Sequence, residues 1–293
     1  MKTPIRRRIK GSIGRFAATS RVLEQRFRSK MVIVTFHRVS DALPGDRMTH
    51  SSSRFQEYCD FFREHFKVVP LSEQVAGRSG VNDLGGTLSI TLDDGYRDNF
   101  EVAAPILRKL NLPATFFVIT GFIGTQTAAP WDRQLVRQPG WMDWNQLRSL
   151  ASEGFEIGSH TDSHLDLGVA SAGAVRADLA VSRRKLEEQL DRPAQLFAYP
   201  FGGRQNISEV SRELVRETGF SCCLACYGGP NDLTTSPFDL TRISMAEGFG
   251  TPQEFAFDMF FGRGTCVAEP MMTGARHLGR AGADVSSPMA HRE

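Results

Sequence analysis

The sequence lacks any apolar run long enough to cross a membrane as a helix. Its first residues are charged, but no apolar segment follows them of the kind that a secretion signal requires. From these two absences we expect a cytoplasmic protein with no signal peptide and no transmembrane segment. The 293 residues are 41% hydrophobic and 23% charged, which is ordinary for a globular protein and sufficient for a sizeable core.

Cysteine is also scarce. The five cysteines are an odd number, and without a secretion signal we expect them to be reduced thiols. Three of them fall in the segment "FSCCLACYGG", where the spacing of Cys222 and Cys226 fits a metal knuckle poorly. No second cluster of Cys and His lies near them in the sequence. The cysteines therefore predict neither a disulfide framework nor a structural metal site.

Negative charge is almost absent from the first thirty residues. Residues 1–30 carry ten Lys or Arg against one Glu, a net charge of +9, which leaves −7 for the rest of a chain whose total is +2. Apolar residues recur among the arginines at roughly helical spacing, including Ile9, Ile13 and Phe16. We interpret residues 1–30 as a basic amphipathic arm that packs loosely on the body, with peripheral contact to the inner face of an anionic membrane as the alternative. We do not expect nucleic acid as a partner.

Beyond the arm, segments typical of strands alternate with segments typical of helices. "MVIVTF", "GTLSITL", "PATFFVITGFIG" and "AQLFAYPFGG" have strand character, and "AGAVRADLAVSRRKLEEQL" has a clear helical period. This alternation predicts an α/β fold with a parallel sheet or barrel. We expect a single domain over residues 31–262. Periodicity ends near Gly262, so residues 263–293 are expected to be a disordered tail.

Polar side chains follow several of the predicted strands. The first strand ends at His37, and the next apolar strand ends at Asp93 and Asp94. His160 and His164 follow another strand in "GSHTDSH", and "YPFG" follows a fourth. In parallel α/β folds the loops after the carboxyl ends of the strands hold the active site. We therefore expect these residues to meet.

Two histidines and one carboxylate form a common catalytic zinc set. His160 and His164 are four residues apart, and one helical turn would place both imidazoles on one side. One aspartate of the Asp93-Asp94 pair can then bind the metal while the other acts as a base. The same ligands also suit cobalt, nickel or iron.

In this combination the sequence resembles the polysaccharide deacetylases of the NodB-homology type, carbohydrate esterase family 4. "TLDDG", "SHTDSH" and "FAYPFG" are similar to three motifs of that family and occur in the same order. The resemblance implies a distorted (β/α) barrel that removes N-acetyl groups from amino-sugar units of a bacterial polysaccharide or glycolipid. It also implies Asp93 as general base, Asp94, His160 and His164 as metal ligands, and the backbone N–H of Phe201 in the oxyanion site.

Two departures from the family pattern change the expected roles. Ala198 stands where the family has an arginine that steadies the catalytic aspartate, and we assign part of that role to Arg242. The family's late histidine, its usual general acid, has no counterpart near "DLTRISM", so we predict that His37 supplies the acid. Tyr199 and Trp131 complete the predicted substrate and oxyanion set.

Two alternatives remain open at this point. The same machinery serves an O-acetyl esterase or a hydrolase of small amides, because substrate choice depends on loops. A catalytically inactive barrel that only binds glycan is the second alternative, suggested by the missing arginine and late histidine. The retained Asp-Asp pair and His-x-x-x-His pattern favour an enzyme.

Overall fold

The structure is a computed structural model that describes residues 4–19, 22–43, 47–76, 84–245 and 250–261. Within these ranges the chain forms nine α-helices and eleven β-strands. The helices are α1 (Pro4–Thr19), α2 (Val22–Phe27), α3 (Ser52–His65), α4 (Leu71–Ala76), α5 (Ala104–Leu110), α6 (Trp144–Ser152), α7 (Ala172–Leu190), α8 (Glu209–Thr218) and α9 (Pro252–Phe260). The strands are β1 (Lys30–Phe36), β2 (Arg38–Val39), β3 (Thr49–His50), β4 (Lys67–Val68), β5 (Thr87–Leu92), β6 (Thr115–Val118), β7 (Glu156–Ser159), β8 (Leu224–Ala225), β9 (Asn231–Asp232), β10 (Leu240–Thr241) and β11 (Ile243–Ser244).

The strands form a ring of parallel pairings. The main sheet has the order β11-β1-β5-β6-β7, with Phe36 of β1 aligned with Leu92 of β5. After β7, single bridges through Phe197 and Ala198 carry the pairing to β8, which pairs with β10. β10 and β11 lie on either side of Arg242, and β11 pairs with β1. The ring therefore closes, and the predicted (β/α) barrel is confirmed in a distorted form.

Successive side chains of the strands alternate between two hydrophobic clusters. On β1, Val32 and Val34 pack with residues of the surrounding helices, whereas Ile33 packs with Phe117 and Leu224 from other strands of the ring. This is the two-residue period of a strand that is buried on both faces. The inner positions also carry buried polar residues, namely Thr35, Thr87, Ser89, Thr91 and Arg242. A polar interior directly below Asp93 is thus built by the strands.

Several predicted strands are shorter than their apolar runs. The run "PATFFVITGFIG" is a strand only to Val118, because the backbone N–H groups of Thr120 and Gly121 bond to the 161–162 segment instead. The run "AQLFAYPFGG" makes only single bridges, since Pro200 has no N–H and Phe201 has a left-handed φ of 61°. Both runs leave the strand conformation where they begin to form the loops above the barrel.

The N-terminal helix packs on the body. Lys10 forms an ion pair with Asp258 of α9 and lies over the Phe257 ring, 5.6 Å from its centroid. At Gly14 a Cβ atom would overlap the backbone carbonyl of Gln253, so glycine allows the two helices to approach closely. None of the described helices has both the length and the apolar character needed to span a bilayer. The tail predicted over 263–293 lies outside the described residues.

Candidate active site

The backbone turns sharply at the Asp93-Asp94 dipeptide. Asp93 continues the ladder of β5, since its N–H donates to the carbonyl of Phe36 at 2.9 Å. Asp94 and Gly95 then both have positive φ, 76° and 85°. A side chain at residue 95 would also lie 3.0 Å from Ile123 and 3.1 Å from Val118. The turn sends two adjacent carboxylates into different surroundings, which reduces the repulsion that their sequence position implies.

Asp93 is held by Arg242 in a two-pronged ion pair. The guanidinium Nη1 and Nη2 donate to the two carboxylate oxygens at 2.7 and 2.8 Å, and both side chains are almost fully buried. Thr35 and Thr91 each accept a further hydrogen bond from Nη1, at 3.3 and 3.2 Å. Burial alone would raise the pKa of Asp93, but Arg242 and His160 outweigh it and hold the pKa at about 2. Asp93 is therefore an anion with a fixed counter-charge.

Asp94 instead faces two imidazoles. Its Oδ1 lies 3.5 Å from Nε2 of His160 and 3.6 Å from Nε2 of His164. These three residues form a buried group whose ligand atoms all lie within 4.8 Å of one another. The pKa of Asp94 is raised well above its usual value by burial, and further by the charges of Asp93 and Asp132. Burial lowers the pKa of both histidines, so no cation of the triad itself balances Asp94.

The triad fits a divalent metal. Nδ1 of His160 is 2.8 Å from the carbonyl oxygen of Ala198, which makes Nδ1 the donor and leaves the Nε2 lone pair directed at Asp94. Ligand atoms about 2.0–2.1 Å from a tetrahedral zinc lie roughly 3.4 Å from each other. The observed separations from Asp94 of 3.5 and 3.6 Å are close to that value. Two imidazole nitrogens and one carboxylate can thus hold a metal and leave a position open.

The expected helical turn between the two histidines is wrong. Residues 160–164 form an irregular turn in which Thr161 has φ 67° and His164 has φ 59°. These left-handed positions, occupied by residues other than glycine, break any helical path but still bring both imidazoles to Asp94. The spacing pointed to these two histidines as a pair, although the turn that brings them together is not helical.

His37 lies at the end of β1, beside this group. Its backbone carbonyl accepts a hydrogen bond from Asn99 at 2.7 Å, and its Nδ1 has no hydrogen-bond partner among the described residues. Burial lowers its pKa to about 4, with Asp93 acting in the opposite direction and Arg242 and His160 adding to the decrease. The imidazole is therefore neutral at pH 7 and within electrostatic reach of the predicted base.

Phe201 and Trp131 flank His164. Their rings lie 4.6 and 4.3 Å from the imidazole centroid. The positive φ of Phe201 belongs to a turn in which its own N–H has no acceptor among the described residues. The Trp131 indole N–H donates to the hydroxyl of Tyr96 at 2.7 Å. Both residues thus lie beside the triad of Asp94, His160 and His164, and their roles toward substrate stay a prediction.

Tyr199 does not join them. Its side chain is buried and packs on Phe197, with 5.1 Å between ring centroids, in the cluster that lies under the surrounding helices. Strand alternation explains this placement, because Ala198, between the two aromatic residues, packs into the ring interior instead. The Tyr199 side chain therefore packs away from the ring interior, and the predicted part of Tyr199 in the substrate or oxyanion set stays a prediction.

The sequence analysis did not predict a buried network of polar side chains next to Trp131. The Tyr96 hydroxyl donates to Asp132 at 2.7 Å, and Asp132 forms an ion pair with Arg38, which is only 1% exposed. Arg38 also donates to Thr49 at 2.9 Å. This network connects Asp132, in the long segment after β6, to Arg38, the residue that follows His37. A charged residue directly after an apolar strand was the available signal.

Comparisons with known proteins agree with this architecture. Residues 81–223 match the family model described as polysaccharide deacetylase. The poly-beta-1,6-N-acetyl-D-glucosamine N-deacetylase of Staphylococcus aureus (strain MRSA252) is 26% identical over 162 residues, covering 52% of this chain and 53% of that protein. The chain spans about half the length of the curated relatives that it matches.

Solved structures share the fold over most of the chain. The deacetylase PplD of Streptococcus pyogenes, solved with acetate, has a TM-score of 0.67 at 22% identity, covering 78% of this chain and 98% of that one. IcaB from Ammonifex degensii has a TM-score of 0.65 at 23% identity, covering 79% and 97%. Residues 81–223 of this chain therefore form a polysaccharide deacetylase domain of the NodB-homology type, as the resemblance to carbohydrate esterase family 4 predicted, and the solved structures share its fold.

Proposed function

We propose that the protein is a metal-dependent hydrolase that removes N-acetyl groups from amino-sugar units of a bacterial polysaccharide or glycolipid and releases acetate. The observation that carries the proposal is the division of the Asp93-Asp94 pair. Asp93 is ionised against Arg242, while Asp94 lies beside two histidines and forms no ion pair with a Lys or Arg among the described residues. A bound cation and a separate base are the two components that metal-assisted hydrolysis of an amide uses.

In the proposed reaction each of these residues has a separate role. A divalent metal bound by Asp94, His160 and His164 supplies Lewis acidity, most commonly as zinc, with cobalt, nickel or iron as alternatives. Asp93 takes a proton from the attacking water, whose oxygen bonds to the acetyl carbon. The backbone N–H of Phe201 donates to the oxyanion, an interaction typically worth about 3 kcal/mol in the transition state. The carbon–nitrogen bond breaks, acetate forms, and the sugar amine accepts a proton.

We assign delivery of that proton to His37. Because the imidazole is neutral at pH 7, it has no proton to give before the reaction starts. His37 delivers the proton that the attacking water releases and that Asp93 accepts first. The charge of Asp93 interacts electrostatically with His37. Arg242 acts in this scheme as the residue that orients Asp93 and keeps it ionised.

The substrate class rests on chemistry and on family. The S. aureus relative acts, by name, on a polymer of N-acetylglucosamine. The Trp131 ring beside His164 offers an aromatic surface of the type on which sugar rings pack. We infer that an N-acetylated amino sugar binds with its acetyl group over the triad and its ring near Trp131. An O-acetyl ester or a small amide is the alternative substrate, and an inactive glycan-binding barrel is the alternative function.

Acetate release from an N-acetylglucosamine oligomer tests the proposal. The wild type should release acetate, and a chelator should abolish release until zinc is restored. An O-acetylated glycan run in parallel distinguishes an esterase, which would release acetate from that substrate alone. A protein that binds zinc and the oligomer yet releases no acetate from either substrate would be the inactive barrel.

We also propose that α1 places the enzyme on an anionic membrane from the cytoplasmic side. Ile9 and Phe16 are 55% and 71% exposed, and Ile13 lies between them on the same side of the helix. An adjacent side, with Lys10 and Gly14, is the one that packs on α9. An exposed apolar stripe in a segment with net charge +9 is the pattern of a helix that lies in an anionic lipid interface. In this proposal residues 1–30 are a docked membrane-facing element and 31–262 the catalytic domain.

Sedimentation with vesicles tests the membrane contact. The double variant Ile9→Ser, Phe16→Ser should bind phosphatidylserine-containing vesicles several-fold more weakly than the parent. Val169→Ser is the matched control, because Val169 is 79% exposed and lies outside α1. Equal binding by all three proteins would contradict the assignment.

A further inference from the structure

One side of α7 carries three polar side chains that all reach the segment bearing the two histidines. Asp178, Ser182 and Lys185 follow one another at spacings of four and three residues, which places them on one face of the helix. The Ser182 hydroxyl is 2.7 Å from the hydroxyl of Ser159, the last residue of β7. Lys185 donates to the carboxylate of Asp162 at 2.7 Å. No catalytic role described above uses these three residues.

Of these three residues, Asp178 forms the largest number of hydrogen bonds with the segment. Its carboxylate accepts from the backbone N–H of Asp162 at 2.6 Å and from that of Ser163 at 3.2 Å. It also accepts from the Ser163 hydroxyl at 2.5 Å. These two backbone groups lie midway between His160 and His164. Two amide donors bound by one anion fix the path of the turn at its centre, as a carboxylate does at the start of a helix.

The turn needs such support because its backbone is unfavourable. Thr161 and His164 both have left-handed φ values, 67° and 59°, and each such position costs of the order of 1 kcal/mol for a residue other than glycine. Thr120, which lies just beyond the end of β6, also contributes, because its hydroxyl donates a hydrogen bond to the Asp162 carboxylate at 2.6 Å. Left to itself, the turn would relax toward ordinary φ values and His164 would move away from Asp94.

We propose that Asp178, assisted by Ser182 and Lys185, is a positioning residue that sets the separation of the His160 and His164 ligand nitrogens. This inference rests on the proposed metal site, and it adds α7 to the elements that determine metal affinity. Residues that orient metal ligands typically change affinity by about 10–100-fold when replaced. The hydrogen bonds to Asp178 reach the ligands only through the backbone, so the lower part of that range is expected.

The test is a zinc titration of the purified protein against a chromophoric competing chelator. Asp178→Asn keeps the size of the side chain but removes its charge and should weaken zinc binding about tenfold. Lys185→Met should weaken it less, because Lys185 acts through Asp162. Glu188→Gln is the control on the same helix, since Glu188 is 62% exposed and its ion pair within the described part of the chain is with Arg184 at 3.7 Å, and it should bind zinc as the parent does.

A spectroscopic measurement separates positioning from a general loss of structure. With Co²⁺ in place of zinc, the visible absorption of Asp178→Asn should differ from that of the parent, while circular dichroism of the two metal-free proteins is the same. Zinc affinity within twofold of the parent, together with an unchanged Co²⁺ spectrum, would overturn the inference for Asp178 and leave the proposed function standing. Absence of zinc binding by parent and Glu188→Gln alike would overturn the metal site itself.

Discussion

The neighbouring aspartates Asp93 and Asp94 have opposite electrostatic surroundings in the two halves of the site. On the Arg242 side, Asp93 is paired in two places with a guanidinium that is fully buried and held by Thr35 and Thr91. On the histidine side, Asp94 faces two imidazoles that burial keeps neutral. The pKa of Asp93 is held at about 2, and that of Asp94 is raised well above normal.

This contrast explains why a strand can end in two adjacent carboxylates. A buried charge persists when it is paired, and an unpaired one shifts its pKa or binds a cation. Asp93 has its counter-charge within the protein, in Arg242, which suits the base role proposed for it. Asp94 lacks such an ion pair among the described residues, which suits the proposed binding of a cation beside the two histidines. The two aspartates can therefore have different functions because only one of them is paired with a built-in guanidinium.

The largest expected effect comes from removing the partner of Asp93. Arg242→Met leaves a buried, unpaired carboxylate and should lower the free energy of unfolding by about 3–5 kcal/mol at neutral pH. The ion pair depresses the pKa of Asp93 in the folded protein, so its stabilisation is present above the unfolded pKa of 3.8 and is lost as pH falls toward 2. Urea denaturation of parent and variant at pH 7 and pH 3 should therefore differ most at pH 7.

An exposed ion pair is the control for that change. Arg176 and Glu217 are 2.8 Å apart, but their side chains are 61% and 45% exposed. Arg176→Met should alter the free energy of unfolding by less than about 1 kcal/mol. A loss as small in Arg242→Met would mean that the Asp93 carboxylate finds another partner or is protonated without cost. Acetate release by Arg242→Met should also show its acid limb at higher pH than the parent.

A smaller effect is expected on the histidine side from Trp131→Phe. The ring remains beside His164, but the hydrogen bond from the indole N–H to Tyr96 is lost. Loss of one neutral hydrogen bond should lower the free energy of unfolding by about 1 kcal/mol.

If Trp131 only packs against His164, KM for the oligomer should stay unchanged in Trp131→Ala. A several-fold rise in KM with near-normal zinc affinity supports contact with the sugar.

The remaining prediction concerns the pH dependence of stability that arises from His37, which lies near Asp93 and His160. Because its folded pKa is lowered to about 4, the unfolded chain binds more protons than the folded protein between pH 4 and 6.5. The free energy of unfolding should thus rise with pH across that interval, and His37→Gln should make the rise shallower. An NMR titration of the metal-free protein measures the midpoint directly. A midpoint near 6.5 would contradict a buried neutral imidazole and the proposed route of the proton.

Much of the architecture was available from the sequence. The alternation of strand and helix segments predicted the barrel, and the strand ends His37, Asp93, Asp94, His160 and His164 do meet at one edge of it. Residues at strand ends are predictable because parallel strands deliver them to a common place. The resemblance to the family assigned different roles to the two aspartates, and those roles stay a prediction.

Other features depend on contacts between distant segments. The bond from Arg242 to Asp93 joins residues 149 positions apart, and only the family's missing arginine suggested it. The left-handed turn at Thr161 and His164 was not predictable, because neither residue favours that conformation. The packing of the Tyr199 side chain toward the helices was not predictable, because the direction of a side chain depends on strand register. The polar face of α7 was visible as a pattern, but surface helices show such patterns for solvation alone.

The most direct test of the division between the two aspartates is to measure zinc affinity and acetate release together for Asp93→Asn and Asp94→Asn. Asp93→Asn should bind zinc nearly as tightly as the parent while acetate release falls about 10²–10⁴-fold, the usual contribution of a general base. Asp94→Asn should lose both zinc binding and acetate release. Loss of zinc binding in Asp93→Asn, or normal zinc binding in Asp94→Asn, would contradict the account.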